Sequence, residues 1–119
     1  MKIHQSAENY LETILMLTER NGSCRSVDIA NELGFSKPSV SIAMKNLREN
    51  GYIDVMGDGK ILLLEPGRKI AERLYERHTV LTRAFTKLGV NSQTASEDAC
   101  KIEHIISEET FEAIKKHFG

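Results

Sequence analysis

The stretch from Ser26 to Asn50 admits few folds. It runs Ser-Val-Asp-Ile-Ala-Asn-Glu-Leu-Gly-Phe-Ser-Lys-Pro-Ser-Val-Ser-Ile-Ala-Met-Lys-Asn-Leu before its last three residues, and so sets a glycine and a serine-lysine-proline step between two short segments of helical periodicity. In the first segment Ile29, Ala30 and Leu33 make one apolar face, with an alanine where a second helix would cross and where there is room for little more than a methyl group. Gly34 can take the positive φ that turns the chain sharply. Ser36 is placed as an N-cap, and Pro38 falls in the first turn of the next helix, where its missing N–H does no harm. Val40, Ala43, Met44 and Leu47 then recur at i, i+3, i+4 and i+7 and bury the second helix against the first. Two short helices joined by a tight turn form a helix-turn-helix.

Burying that stripe leaves the other face of the second helix in water. It carries Ser39, Ser41, Ile42, Lys45 and Arg48, with Asn46 on its flank and Lys37 beside the cap. Small hydroxyls, one apolar side chain and cations suit a phosphate backbone and base edges. An ordinary amphipathic hairpin would show a merely solvated face here, but Ala30, Gly34 and Val40 fall together at the offsets of a recognition helix. Downstream, Tyr52-Ile53-Asp54-Val55-Met56 and Lys60-Ile61-Leu62-Leu63-Leu64 flank Gly57-Asp58-Gly59, and an Asp-Gly pair between β-rich runs signals a hairpin. A hairpin in this place is a wing, and Lys60 at its tip is within reach of phosphate.

The chain has 119 residues, 40% of them apolar, enough for one compact unit or two small cooperating ones. Sixteen basic and seventeen acidic residues give a net charge of −1, which does not advertise nucleic-acid binding but permits segregation of charge onto separate faces. There is neither an apolar run of membrane-spanning length nor a signal-peptide pattern, so a cytoplasmic protein is expected. In that reducing setting Cys24 and Cys100, far apart in sequence, are expected as separate thiols.

Ahead of the helix-turn-helix, Ser6 is placed to cap a helix over about 7–20, ended by Asn21-Gly22, with Tyr10, Leu11, Ile14, Leu15 and Leu17 inward. Glu8, Asn9, Glu12 and Met16 stack along one flank, which on its own terms is a solvated edge. After the wing, Glu65-Pro66-Gly67 opens a helix that continues to Leu88 and stops at Gly89. Its stripe of Ile70, Leu74, Leu81, Phe85 and Leu88 has His78 in the middle. Asn91 caps a helix expected over 92–106, with Ala95, Ala99, Ile102 and Ile106 buried and Cys100, Glu103 and His104 beside them. Those three stand at i, i+3 and i+4, so a thiolate, a carboxylate and an imidazole project from one side within a turn. Ser107 caps a last helix striped by Phe111, Ile114 and Phe118.

With Ala7-Glu8-Asn9-Tyr10-Leu11-Glu12-Thr13-Ile14 at its start, Arg77-His78 in the long helix and Cys100-x-x-Glu103-His104 in the next, the chain resembles the metal-dependent repressors of the diphtheria toxin repressor and manganese transport regulator family. The resemblance covers nearly the whole length. It implies a mostly α fold with a small β-hairpin wing: a winged helix-turn-helix DNA-binding domain over 1–65, then a helical metal-binding and dimerisation region over 66–119. It also implies a homodimer that binds a palindromic double-stranded operator when loaded with a divalent metal and so controls metal-uptake genes, without membrane or small-molecule substrate.

By position, the resemblance makes Asn9, Glu12, His78, Cys100, Glu103 and His104 the metal ligands, and Ser36, Pro38, Ser39 and Ile42 base-proximal. Where Asn9 stands, manganese sensors have aspartate and iron sensors methionine. Cys100 follows the iron-sensing pattern, and Glu12 with His78 the manganese-sensing one. Thr82 and Ser96 replace extra ligands of the iron sensors, and the SH3-like domain of longer members has no counterpart, so a short, two-part form is expected. Ile42 replaces a polar reader and suits something apolar, such as a thymine methyl. The soft Cys100 thiolate favours Fe(II) as co-repressor over Mn(II), with Co(II), Ni(II) and Zn(II) as other occupants. Two other classes stand beside this reading. A winged-helix regulator of an organic ligand or of Cys100 oxidation would use the histidines as core; a small metallohydrolase would need an open coordination position in a substrate-sized pocket, for which the chain offers no glycine-rich loop.

Overall fold

The structure, a computed structural model of the chain, describes residues 4–118. In chain order it contains α1 (Gln5–Asn21), α2 (Ser26–Leu33), α3 (Lys37–Glu49), β1 (Ile53–Val55), β2 (Ile61–Leu63), α4 (Glu65–Lys87), α5 (Ser92–Ile102) and α6 (Glu108–Phe118). The described residues divide into two compact units, the first ending at Glu72 and the second beginning at Arg73. No helix among the described residues is long and apolar enough to cross a membrane.

The first unit is a winged helix-turn-helix. Gly34 ends α2 at φ 71°, its N–H bonded to the Ala30 carbonyl, and Ser36 caps α3 by accepting from the Ser39 N–H. At the other end of α2, Asp28 accepts a hydrogen bond from the Arg25 N–H at 2.9 Å and fixes the first turn. Val40, Met44 and Leu47 are buried with Ile29, Ala30, Leu11, Ile14, Leu15, Leu17, Ile53 and Ile61 in one core. Cys24 belongs to that core, and its carbonyl accepts from the Ile61 N–H at 2.7 Å, which ties the wing's second strand to the segment before α2.

The wing pairs Ile53 with Leu63 and Val55 with Ile61, antiparallel. Its loop is wider than a two-residue turn: the Met56 N–H donates to the Lys60 carbonyl, and Asp58 accepts from the Lys60 N–H. Gly67, in the first turn of α4, packs so closely that an added Cβ would run into the Tyr52 carbonyl and lie 3.3 Å from the Leu11 side chain. The Tyr52 carbonyl already accepts from the Leu64 N–H, so it cannot readily withdraw.

In the second unit Leu74, Val80, Leu81, Ala84, Ala95, Ala99 and Phe111 are buried. Three boundaries differ from the sequence expectation. The N-cap of α1 is His4, with Ser6 inside the helix, because the first turn's donors need no protein partner where water reaches them. Leu88 is 67% exposed, since the helix has ended and Gly89 has turned the chain. Helix α5 stops at Ile102, four residues before Ile106: the Ile105 N–H bonds back to the Ile102 carbonyl in a tight i→i−3 turn, and the Ile106 N–H shares that carbonyl.

Candidate metal centre and nucleic-acid interface

The early end of α5 alters what its polar residues do. Ala95 and Ala99 are buried at i and i+4, and the next position of that stripe is Glu103, with 0% exposure. The carboxylate therefore occupies a core position, while Cys100 is exposed and His104 half-buried. From α4, His78 places Nδ1 3.4 Å from Glu103 Oε1, close enough for an ion pair with a protonated ring but not aligned as a hydrogen bond. The other ring nitrogen, Nε2, is 3.4 Å from the Ser96 hydroxyl on α5. Ser96 thus supports His78 from behind, a role no motif disclosed.

Both Glu103 carboxylate oxygens and His78 Nδ1 are buried without a hydrogen-bond partner among the described residues. Removing an ionised carboxylate from water costs several kcal/mol unless charge or hydrogen bonds replace the solvent. A divalent cation meets that need, and carboxylate with imidazole is a donor set that binds one. The residues present therefore fit a metal.

Within the first unit, Glu12 is only 3% exposed and Asn9 half-buried, so the flank of α1 that suggested a solvated edge is not one. The Asn9 carbonyl accepts from the Thr13 hydroxyl at 2.8 Å, leaving the Asn9 side chain outside that bond. A residue missed from sequence is Arg77, 4% exposed, whose guanidinium donates to the carbonyls of Glu103 and Ile106 and to the Glu108 carboxylate. Hydropathy patterning places arginine outside a core, and only its neighbour His78 drew attention to the position.

The face of α3 turned to water holds every residue expected there. Ser36, Lys37, Pro38, Ser39, Ser41, Ile42, Lys45, Asn46 and Arg48 are all exposed, Ile42 to 63%. Ser41, Lys45 and Arg48, with Ser26, Met44 and Val55, line a cleft of about 220 Å³ beside the wing. Ser36 and Ser39 bond to each other through their hydroxyls at 2.8 Å. Lys60 is exposed and stands 3.7 Å from Asp58, whose carboxyl is held below the usual range chiefly by the Lys60 backbone N–H and then by the Lys60 and Arg25 charges.

Residues 2–61 match the N-terminal DNA-binding domain of the iron dependent repressors, and residues 64–119 match their metal-binding and dimerisation domain. The transcriptional regulator MntR of Escherichia coli is 35% identical over 108 residues, 91% of this chain and 70% of that protein. An uncharacterised helix-turn-helix regulator of Methanocaldococcus jannaschii is 34% identical over 113 residues, 93% of this chain and 90% of its own. A manganese-dependent transcriptional repressor solved with manganese superposes with a TM-score of 0.85 at 25% identity, over 95% of this chain and 52% of that one. The chain thus spans about half the length of the solved repressor. These relatives are transcriptional regulators rather than enzymes. With a DNA-binding helix-turn-helix followed by a domain for metal and dimerisation, the chain belongs to the iron dependent repressor family, the metal-dependent transcriptional repressors that include the diphtheria toxin repressor and the manganese transport regulators.

Proposed function

We propose that this repressor is a homodimer that binds an inverted-repeat operator when Fe(II) is loaded and so silences metal-uptake genes. The observation that carries the metal reading is the buried Glu103 carboxylate beside His78, with neither oxygen hydrogen-bonded. His78, Glu103 and His104 would hold the ion, with Asn9, Glu12 and Cys100 as further ligands by the family resemblance. The ion supplies positive charge to a group of acidic side chains. The chain's own residues orient the imidazole through Ser96 and exclude water around Glu103.

Metal and operator affinities are then linked reciprocally. A coupling of about 1–3 kcal/mol changes operator affinity roughly 5- to 150-fold, and operator DNA tightens metal binding by the same factor. Two recognition helices in a dimer meet half-sites about one helical turn apart, ~34 Å, or a multiple of it. Iron is favoured over manganese because Cys100 offers soft sulfur.

Operator binding is measured in EDTA, then after adding Mn(II), Fe(II), Co(II), Ni(II) or Zn(II) singly. Loss in chelator and recovery with a cation is the expected result; operator binding indifferent to EDTA would instead support a regulator of an organic ligand or thiol oxidation. Cys100→Glu is expected to raise the manganese response relative to cobalt and iron, and an unchanged ranking of metals removes Cys100 from the ligand set.

A further inference from the structure

Arg77 is a cation buried in the second unit, on α4 immediately before His78. One guanidinium nitrogen donates to the Glu103 carbonyl at 3.1 Å and to the Ile106 carbonyl at 2.9 Å, and the other donates to Glu108 Oε2 at 3.0 Å. The guanidinium also lies over the Phe111 ring, 5.4 Å from its centroid. A helix leaves its last carbonyls without helical donors, and α5 ends at Ile102. Arg77 supplies donors from another helix to the turn that follows.

The two carbonyls it grips bracket the segment 103–106, which begins with Glu103 and His104. The same Glu103 whose carbonyl Arg77 holds presents its carboxylate to His78. Two adjacent residues of α4 therefore fix Glu103 at both ends, backbone and side chain. This is more than stability demands, since a buried arginine is costly and here its Nε has no hydrogen-bond partner among the described residues.

Resting on the metal reading above, we propose that Arg77 is the positioning residue of the metal centre: it sets the turn that aims Glu103 and His104 and thereby tunes affinity and ligand geometry without touching the ion. A fork of donors is required, because a lysine ammonium cannot reach two carbonyls and a carboxylate in the same planar arrangement.

The test uses the full chain, with Mn(II) and Co(II) titrated by calorimetry, the visible spectrum of the Co(II)-saturated protein, and apo-protein melting. Groups that orient metal ligands typically change affinity about 10- to 100-fold, so Arg77→Lys is expected to weaken Mn(II) binding by roughly that factor and to alter the Co(II) spectrum at saturation. Glu108→Ala removes only the exposed partner of the guanidinium and should weaken Mn(II) binding by about 2- to 5-fold, on the scale of a single lost hydrogen bond. Wild-type protein that binds neither metal overturns the metal reading itself. Where wild type binds, Arg77→Lys with a lower melting temperature but unchanged affinity and Co(II) spectrum makes Arg77 merely structural and overturns the proposal. If Arg77→Lys does not fold, Glu108→Ala decides: unchanged affinity overturns the proposal and weakened affinity supports it.

Discussion

On α3 Val40, Met44 and Leu47 are buried and, Pro38 and Ile42 apart, the exposed side chains are polar; in the second unit the order is partly reversed, with the Glu103 carboxylate and the Arg77 guanidinium buried and Cys100, Leu88 and Ile105 exposed. The first arrangement costs the fold little, because all but a few of these groups stay in the medium they prefer. The second stores unfavourable burial that a ligand can relieve. The exposed face of α3 can therefore be altered without consequence for stability, whereas a buried carboxylate such as Glu103 trades stability against any ligand that would relieve it.

The largest effect that separates the two regions is expected at Glu103. Glu103→Gln removes the charge and keeps the shape, so metal affinity should fall by more than about 100-fold. The apo protein should melt at the same temperature or higher, because an amide costs less to bury than a carboxylate whose oxygens have no hydrogen-bond donor. Calorimetric titration with Mn(II) and scanning calorimetry of the apo protein measure both. A parallel loss of binding and stability would erase the contrast.

On α3, Lys45→Ala and Arg48→Ala should weaken operator binding similarly on all sequences and each lower the slope of log affinity against log salt by about 1. Their unfolding free energies should stay within about 0.5 kcal/mol of wild type and their Mn(II) affinities unchanged. Fluorescence anisotropy at several salt concentrations checks the slope. A change in stability would show that the face is packed rather than presented. Ile42→Gln should act at one base pair alone, changing its preference by about 1–3 kcal/mol, as read from an operator library.

The smallest effect near neutral pH concerns the thiols. Burial, and secondarily the nearby Asp28 charge, push the Cys24 thiol up to about 12, while Cys100 is exposed. Because the folded state holds Cys24 in its neutral form, the associated stability is complete below the thiol's ordinary value of 9 and is lost as pH rises toward 12. At pH 8 iodoacetamide should label Cys100 and spare Cys24, and Cys24→Ala should flatten the alkaline loss of stability. Equal labelling of both would place Cys24 outside the core.

The helix-turn-helix was legible because each of its signals is local: Gly34 needs only its own φ, Ser36 only the Ser39 N–H, and Val40, Met44 and Leu47 only a period. The set of residues around Glu103 was partly legible through residue types that bind metals. Their burial was not, since hydropathy assigns Glu103 and Arg77 to the outside, and the groups that permit it lie elsewhere in the chain. For Arg77 these are carbonyls 26 and 29 residues away. The end of α5 was missed for a different reason: Cys100 to Ile106 has good helical periodicity, and the tightened turn after Ile102 breaks no sequence rule.

The tight packing at Gly67 bears on how tolerance to substitution should be interpreted. Replacing a helical glycine by alanine ordinarily favours the helix by about 1 kcal/mol. Here the added methyl would meet the Tyr52 carbonyl, and the sign reverses. In a saturation-mutagenesis selection for operator binding, position 67 would score as intolerant as a metal ligand although it is offered neither to metal nor to DNA. Residual folded protein, assayed beside binding, separates the two: at Gly67 abundance and binding fall together, and at Glu103 abundance survives.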